Sequence, residues 1–330
     1  MYIYHNFQRK FFMKKFFIFY SFTFFMVGSI FKLSAQNFAR PNDWKKARRE
    51  VFIQMGASGF LGDLGGLDKV GTDYSPVDYD FQATRTAMGI GYKYKVQKWL
   101  NVVGTFNWLI VRGDDKFTNE TFRRERNLNF KSNIFELAGR IEFAYFANRV
   151  TSRYNIKKTF SRRMKGVQTE WIAFIGIGGF YYNPYGMDKS GNWVALRPLH
   201  TEGQGLPGGP KQYSNFSICI PMGIGVNMYI KRQWTVGLEI NWRKTFTDYI
   251  DDVSTNYYDP VKLSAAYGPK SAEMADSSLG NIPGFSKPAA DGTPAKRGDP
   301  NQKDSYFSVQ LKGGYVFKYK RGRSRLRSKF

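Results

Sequence analysis

Of the two histidines in the chain, His200 lies in the segment Arg197-Pro198-Leu199-His200-Thr201-Glu202, with Ser190 and Ser214 on either side. Serine, histidine and a carboxylate are the parts of a nucleophilic hydrolase. No nucleophile elbow surrounds either serine, and such an elbow is what exposes an attacking hydroxyl. Asp248, Asp251 and Asp252, with Asp63 or Asp73, offer the oxygen ligands calcium takes, but their spacing matches no EF-hand. We read them as solvated loop carboxylates. Arg112-Gly113-Asp114 is the cell-adhesion tripeptide, here read as a chance match in a Gly/Asp turn. The one cysteine, Cys219, excludes an intramolecular disulfide and any cysteine-rich metal cluster. It falls with Ser217 and Gly223 on the small, polar side of its segment and reads as a packed side chain. The expectation is a protein without catalytic residues, cofactor, metal or small-molecule substrate. What stands out instead is a set of opposite charges at alternating positions: Glu136, Arg140 and Glu142, and Glu239 and Arg243.

The elements that carry these charges alternate with period two. Phe135, Leu137, Ile141, Phe143 and Tyr145 fall on one face of a strand, with Glu136, Arg140 and Glu142 on the other. Trp234, Val236, Leu238, Ile240 and Trp242 oppose Glu239, Asn241 and Arg243. Phe307, Val309, Leu311, Tyr315, Phe317 and Tyr319 oppose Tyr306, Ser308, Gln310 and Lys312. Further strands are expected near 51–62, 83–95, 99–111, 168–182 and 214–230, eight in all. Pro221 lacks a ladder donor and predicts a bulge or frayed edge in the sixth. The composition agrees: 33 Gly and 18% aromatics suit strands with aromatic faces and sharp turns. A mean hydropathy of −0.46 excludes a polytopic helical membrane protein.

Which face is buried separates two classes. A soluble barrel turns the apolar face inward; a membrane barrel turns it to lipid and fills a narrow lumen with polar side chains. Opposite charges side by side suit a lumen of ion pairs, and would also suit a solvated face. Aromatic placement favours the membrane barrel. Tyr92, Tyr94, Trp99, Tyr145, Trp171, Trp234 and Tyr315 to Tyr319 would collect at one end, and Trp108, Tyr181, Trp242 and Phe307 at the other, as two interfacial girdles. Trp99 breaks the parity of its own strand, so it precedes that strand or sits at a bulge. Tight connections at 96–98 and 231–233 alternate with long ones at 63–82, 112–129, 183–212 and 247–304. Short periplasmic turns and long outer loops are the outer-membrane pattern; the exception is the long connection 147–166. The fold class expected is an all-β, eight-stranded antiparallel outer-membrane barrel over 51–319.

Lys14 and Lys15, an apolar run from Phe16 to Phe31, and Leu33-Ser34-Ala35 form the three parts of a secretory signal peptide over 1–35. Met13 makes residues 1–12 a candidate start-site extension; a retained anchor helix is the alternative. Removing the leader's five cations takes the net charge from +24 to +19. A basic chain first suggests nucleic acid, but an exported one does not meet it in the cytoplasm. The cations gather on one side. Residues 36–50 carry +3, the two tight turns with their flanks +2 each (Lys95 and Lys98; Lys231 and Arg232), segment 147–166 +7 (Arg149, Arg153, Lys157, Lys158, Arg162, Arg163 and Lys165), and the tail from Lys318 through 320–330 another +7 (with Arg321, Arg323, Arg325 and Arg327). These segments together hold +21, so the rest of the exported chain is nearly neutral. The basic underside would contact anionic inner-leaflet headgroups or dock an acidic periplasmic protein, and the excursion at 147–166 favours docking.

Several blocks resemble PorG-type outer-membrane barrels of the type IX secretion system, which is linked to gliding motility. They are Phe60-Leu61-Gly62-Asp63, Arg112-Gly113-Asp114-Asp115, Arg126-Asn127-Leu128-Asn129-Phe130, Asn183-Pro184, Gly191-Asn192-Trp193-Val194 through Leu199-His200-Thr201-Glu202-Gly203-Gln204-Gly205, Ile220-Pro221-Met222-Gly223, and Thr245-Phe246-Thr247-Asp248-Tyr249-Ile250-Asp251-Asp252-Val253-Ser254. The block ending in Thr-Glu-Gly-Gln-Gly and the Thr-Asp-Tyr-Ile-Asp-Asp-Val-Ser block are the specific ones. The resemblance implies a non-enzymatic subunit whose periplasmic side associates with a ring of periplasmic and lipid-anchored components. The hydrophilic tail after Tyr319 departs from the usual barrel ending. The alternative is a free-standing small outer-membrane barrel of adhesin or lipid-binding type.

Overall fold

The structure is a computed structural model, and it describes residues 45, 47–64, 83–118, 120–147, 168–230, 233–288 and 293–317. The leader expected over 1–35 lies outside them, as do segment 148–167 and the tail from 318.

Among the described residues nine strands follow one another: β1 (Arg49–Leu61), β2 (Arg85–Lys95), β3 (Leu100–Asp114), β4 (Asn129–Ala147), β5 (Gln168–Met187), β6 (Trp193–Ala195), β7 (Phe216–Ile230), β8 (Trp234–Thr245) and β9 (Ser305–Phe317). Eight of them close into an antiparallel barrel, because β1 pairs with both β2 and β9 while β4 pairs with β5 and β5 with β7. Closure leaves no edge on the cylinder. β6 adds three residues to the outer end of β5.

The period-two pattern decides what faces where. In β4, Leu137 is 68% exposed and Tyr145 73%, while Glu136 and Ala138 beside the first are 0% and 4% and Ala144 beside the second is 6%. β5 repeats this with Ile175 and Ile177 outside and Phe174 inside. The wall is therefore apolar outward and polar inward, the reverse of a water-soluble barrel and the arrangement hydrocarbon demands. Among the described residues no helix is long and apolar enough to cross a membrane; the strands do the crossing.

Register aligns the aromatic girdles. Trp108 lies opposite Phe135, Phe135 opposite Tyr181, and Tyr181 opposite Phe216; Trp242 lies opposite Phe307. At the other end Tyr145 faces Trp171, and Trp234 faces Tyr315 with ring centroids 5.1 Å apart. Ten residues separate Phe135 from Tyr145, and Trp171 from Tyr181. At about 3.4 Å per residue and a tilt of about 40°, that is about 26 Å along the barrel axis, the height of an outer-membrane apolar band. Trp99 precedes β3 in the tight turn and stacks on Phe143, centroids 6.2 Å apart.

Three sequence expectations change. Pro221 produces no bulge: the β5–β7 register is the same on both sides of it, and pairing lapses only opposite Gly176 and Ile177. The missing N–H removes ladder bonds without adding a residue. Glu50 and Lys95, assigned above to the basic underside, are inside β1 and β2 and buried; they cancel, so the +21 of those segments stands. The adhesion tripeptide is strand, not turn. Asp114 ends β3 at 4% exposure, bound by Arg112 at 3.2 Å and Lys116 at 2.9 Å.

Two of the long connections hold helices: α1 (Thr121–Arg126) follows β3, and α2 (Pro260–Tyr267) and α3 (Pro269–Ala275) follow β8. The Glu120 carboxylate accepts from Phe122 N and Arg123 N, and Asp259 caps α2 in the same way. Pro260 and Pro269 occupy first helical turns, where the missing N–H costs nothing. Gly268, at φ +91°, separates the two helices.

Candidate functional site: a filled lumen under a folded cap

Inward-pointing side chains of the eight strands include five carboxylates (Glu50, Glu136, Glu142, Glu170, Glu239) and five cations (Lys93, Lys95, Arg140, Arg243, Lys312), all buried. Arg140 reaches Glu142 at 2.8 Å and Glu239 at 2.7 Å. Lys312 adds a contact to Glu239 at 3.3 Å and to Glu50 at 3.8 Å, and Gln54 donates to Glu239 at 2.7 Å. Nearer the short-turn end, Lys93 meets Glu142 at 2.8 Å. There Glu170 takes Lys95 at 3.6 Å and accepts from Tyr229 and Asn227. Nearer the long-loop end, Arg243 Nε donates to Glu136 at 2.9 Å, and Tyr306 and Asn107 donate to the same carboxylate. Each ion has at least one counter-ion within 4 Å, the condition for keeping charges away from water at bearable cost.

The five lumen residues singled out in the sequence thus fall in two clusters, Arg140, Glu142 and Glu239 in one and Glu136 with Arg243 in the other. Glu50, Lys93, Lys95, Glu170 and Lys312 complete the first. Their signal was parity: Lys93 alternates with Tyr92 and Tyr94, and Glu170 precedes Trp171. The eleven basic residues proposed for partner contact (Arg149, Arg153, Lys157, Lys158, Arg162, Arg163, Lys165, Arg321, Arg323, Arg325 and Arg327) lie outside the described residues.

Above the ions the lumen turns apolar. Phe60 meets Phe130 edge-on at 4.7 Å, and Leu109, Ile134, Phe180 and Tyr182 fill the section around them. Cys219 is packed here, fully buried. A ring-to-ring path leads outward: Tyr306 to Phe180 (5.7 Å), Phe180 to Tyr182 (5.6 Å), Tyr182 to Tyr213 (6.4 Å), Tyr213 to Tyr249 (4.5 Å).

At the end of that path the loops are bolted together. Arg126 holds Asp115 with two nitrogens, at 2.7 and 3.0 Å, and donates to the carbonyls of Asp63 and Arg297. Arg297 in turn donates to Glu202 at 3.0 Å and to the Asp252 carbonyl at 2.6 Å. Glu202 accepts from the backbone of Ser254 and Thr255. Asp252, at φ +66°, accepts from Thr201 and Tyr213. Both arginines are at most 2% exposed. The bidentate Arg126–Asp115 pair and the charge-assisted bonds of Arg297 are the strong kind, so the described parts of four loops are tied into one cap.

This burial corrects the reading of solvated carboxylates. Asp248, Asp251 and Asp252 are nearly inaccessible, and each serves the backbone or a hydroxyl: Asp251 takes Leu64 N and Val253 N, Asp248 the Ser254 hydroxyl. Burial pushes Asp248 up to about 7 and Asp63 and Asp252 to about 6; neighbouring carboxylates push Asp248 the same way. Among the described residues no group of three acidic, histidine or cysteine side chains is placed to hold a metal ion. The hydrolase parts are occupied elsewhere. His200 stacks on Tyr267 at 4.1 Å, Ser214 accepts from Phe216 N, and Glu202 is the cap ligand just described.

No family model matches the chain, and no curated protein does. Among solved structures it is similar to Ail, the attachment invasion locus protein of Yersinia pestis. The TM-score is 0.34 at 8% identity, over 82% of this chain and 99% of that one. Ail in complex with the heparin analogue sucrose octasulfate gives 0.32 over the same shares. Neisserial surface protein A gives 0.30 at 8% identity, over 82% of this chain and 97% of that one. A likeness at this level carries no function from one chain to another.

Proposed function

We propose that the chain is a non-enzymatic outer-membrane barrel, exported by its N-terminal leader, that does not conduct solutes but holds a rigid cap at the outer surface for recognition. The observation that carries this is the filled lumen: among the described residues, balanced ions, then packed rings, then the bolted loops occupy it in turn. An eight-stranded barrel has room for little but side chains. In this reading it is a free-standing binding barrel of adhesin or lipid-binding type. Planar-bilayer recording of the full chain is expected to give no discrete conductance; steady ion-conducting steps would overturn it.

A second reading, a secretion-machine subunit, is favoured by one observation. The blocks that resemble PorG-type barrels meet in the cap. Asp63, Asp115, Arg126, Thr201, Glu202 and Asp252 come from five of them and bond to one another directly or through Arg297. The basic segments would then dock the periplasmic ring. Affinity purification of the full chain in detergent separates the readings. A stoichiometric periplasmic partner, lost when Arg149, Arg153, Lys157 and Lys158 are neutralised while insertion persists, supports the subunit. No partner supports the free-standing barrel.

A further inference from the structure

Just above the outer aromatic girdle, the lipid-facing wall changes chemistry within two rows. Outward parity on β3 runs Phe106, Trp108, Ile110, Arg112; on β4 it runs Leu137, Phe135, Asn133, Lys131; on β5 Ile177, Tyr181, Asn183, Tyr185. Register sets these in rows: Trp108, Phe135 and Tyr181; then Ile110, Asn133 and Asn183; then Arg112, Lys131 and Tyr185. Trp193, on β6, covers the last row, its ring 5.6 Å from the Arg112 guanidinium and 5.7 Å from Lys131 Nζ. Lys131 is four residues beyond Phe135, about 10 Å higher along the barrel axis at the rise and tilt used above. That is the headgroup layer.

The charges of this strip are Arg112, Lys116 and Lys131 against Asp114. Arg112 and Lys116 share the Asp114 carboxylate, whereas Lys131 has no carboxylate within 4 Å among the described residues. The Arg112 Nε is buried without a hydrogen-bond partner. Holding spare cations on a wall that faces lipid is costly unless an anion meets them. A saccharide with phosphates would use every row: acyl chains on the girdle, hydroxyls on the Asn133 and Asn183 amides, the sugar face on Trp193, phosphates on Arg112 and Lys131.

We propose that Arg112, Lys131 and Trp193 form a binding site for the phosphorylated disaccharide headgroup of an outer-leaflet glycolipid. This rests on the reading that the long loops face outward from an outer membrane. The test is native mass spectrometry of the full chain in detergent with bis-phosphorylated lipid A as the probe. Dephosphorylated lipid A and inorganic phosphate are the comparison arms. One cation beside a charged headgroup is worth roughly fivefold in affinity. Retention of lipid A should fall about fivefold in Arg112→Gln or Lys131→Gln and about twenty-five-fold in the double variant. It should rise in Asp114→Asn, which releases both cations from their internal acid; a merely misfolded wall would not bind more tightly. Equal retention of dephosphorylated lipid A, saturation by inorganic phosphate alone, or unchanged retention in the double variant would overturn the site. Heat-modifiable gel migration, read on the same samples, separates this failure from failure of the barrel itself.

Discussion

Replacing Glu136 by Gln removes the one carboxylate that faces Arg243 and leaves the lumen with an unbalanced cation. At 2.9 Å and an effective dielectric of about 20, the gross attraction lost is about 6 kcal/mol. Arg243 retains the Ser308 hydroxyl at 2.6 Å and the Asn241 carbonyl at 3.3 Å, which recover part of it. The net cost expected is about 3–5 kcal/mol, that of breaking a buried pair from one side. Removing both charges, with Glu136→Gln and Arg243→Met together, restores balance and should cost less than Glu136→Gln alone. The assay is the folded fraction across a urea series in detergent, read as the heat-modifiable gel shift, for the two single variants and the double. A loss under about 1 kcal/mol in Glu136→Gln, or a double variant that merely sums the singles, would refute the claim that charge balance holds the lumen together.

Two further predictions concern the cap. Arg126→Met strips the counter-ion from buried Asp115 and cuts the ties to Asp63 and Arg297, so protease cleavage within 188–304 should rise at least tenfold while the gel shift of the barrel is kept. The cap should also loosen as pH rises. Asp63 and Asp248 bind protons more tightly folded than free, so their contribution falls with pH from about 4 through the folded values near 6 and 7. The protection factors of amides in residues 247–255, corrected for the intrinsic base-catalysed rise in exchange, should fall between pH 5 and 8, and Asp248→Asn should flatten that fall.

Parity made the barrel legible. Strands that alternate Phe135-Glu136-Leu137 can bury only one face; the paired charges suited either answer, and the aromatic girdles pointed to which. The same rule would have reached Lys93 and Glu170, which the eye assigns to turns or to aromatic ends. The cap was not legible, because its charged residues pair across 11 to 171 positions of chain, and no local pattern tells a solvated aspartate from one beneath a folded loop. Local signals there did exist. Asp259-Pro260 and Gly268-Pro269 are a helix start and a helix boundary, in a stretch otherwise read as loop. Pro221 was half legible: its lost donor follows from its chemistry, but whether the chain inserts a residue depends on the neighbouring strand.

The central claim is that the wall is inside out. A bimane probe at Leu137→Cys and at Ile177→Cys, both on a Cys219→Ser background and reconstituted in vesicles, measures it directly. Quenching by brominated acyl chains with protection from aqueous iodide is the predicted result. Iodide quenching without quenching by brominated lipid would contradict it.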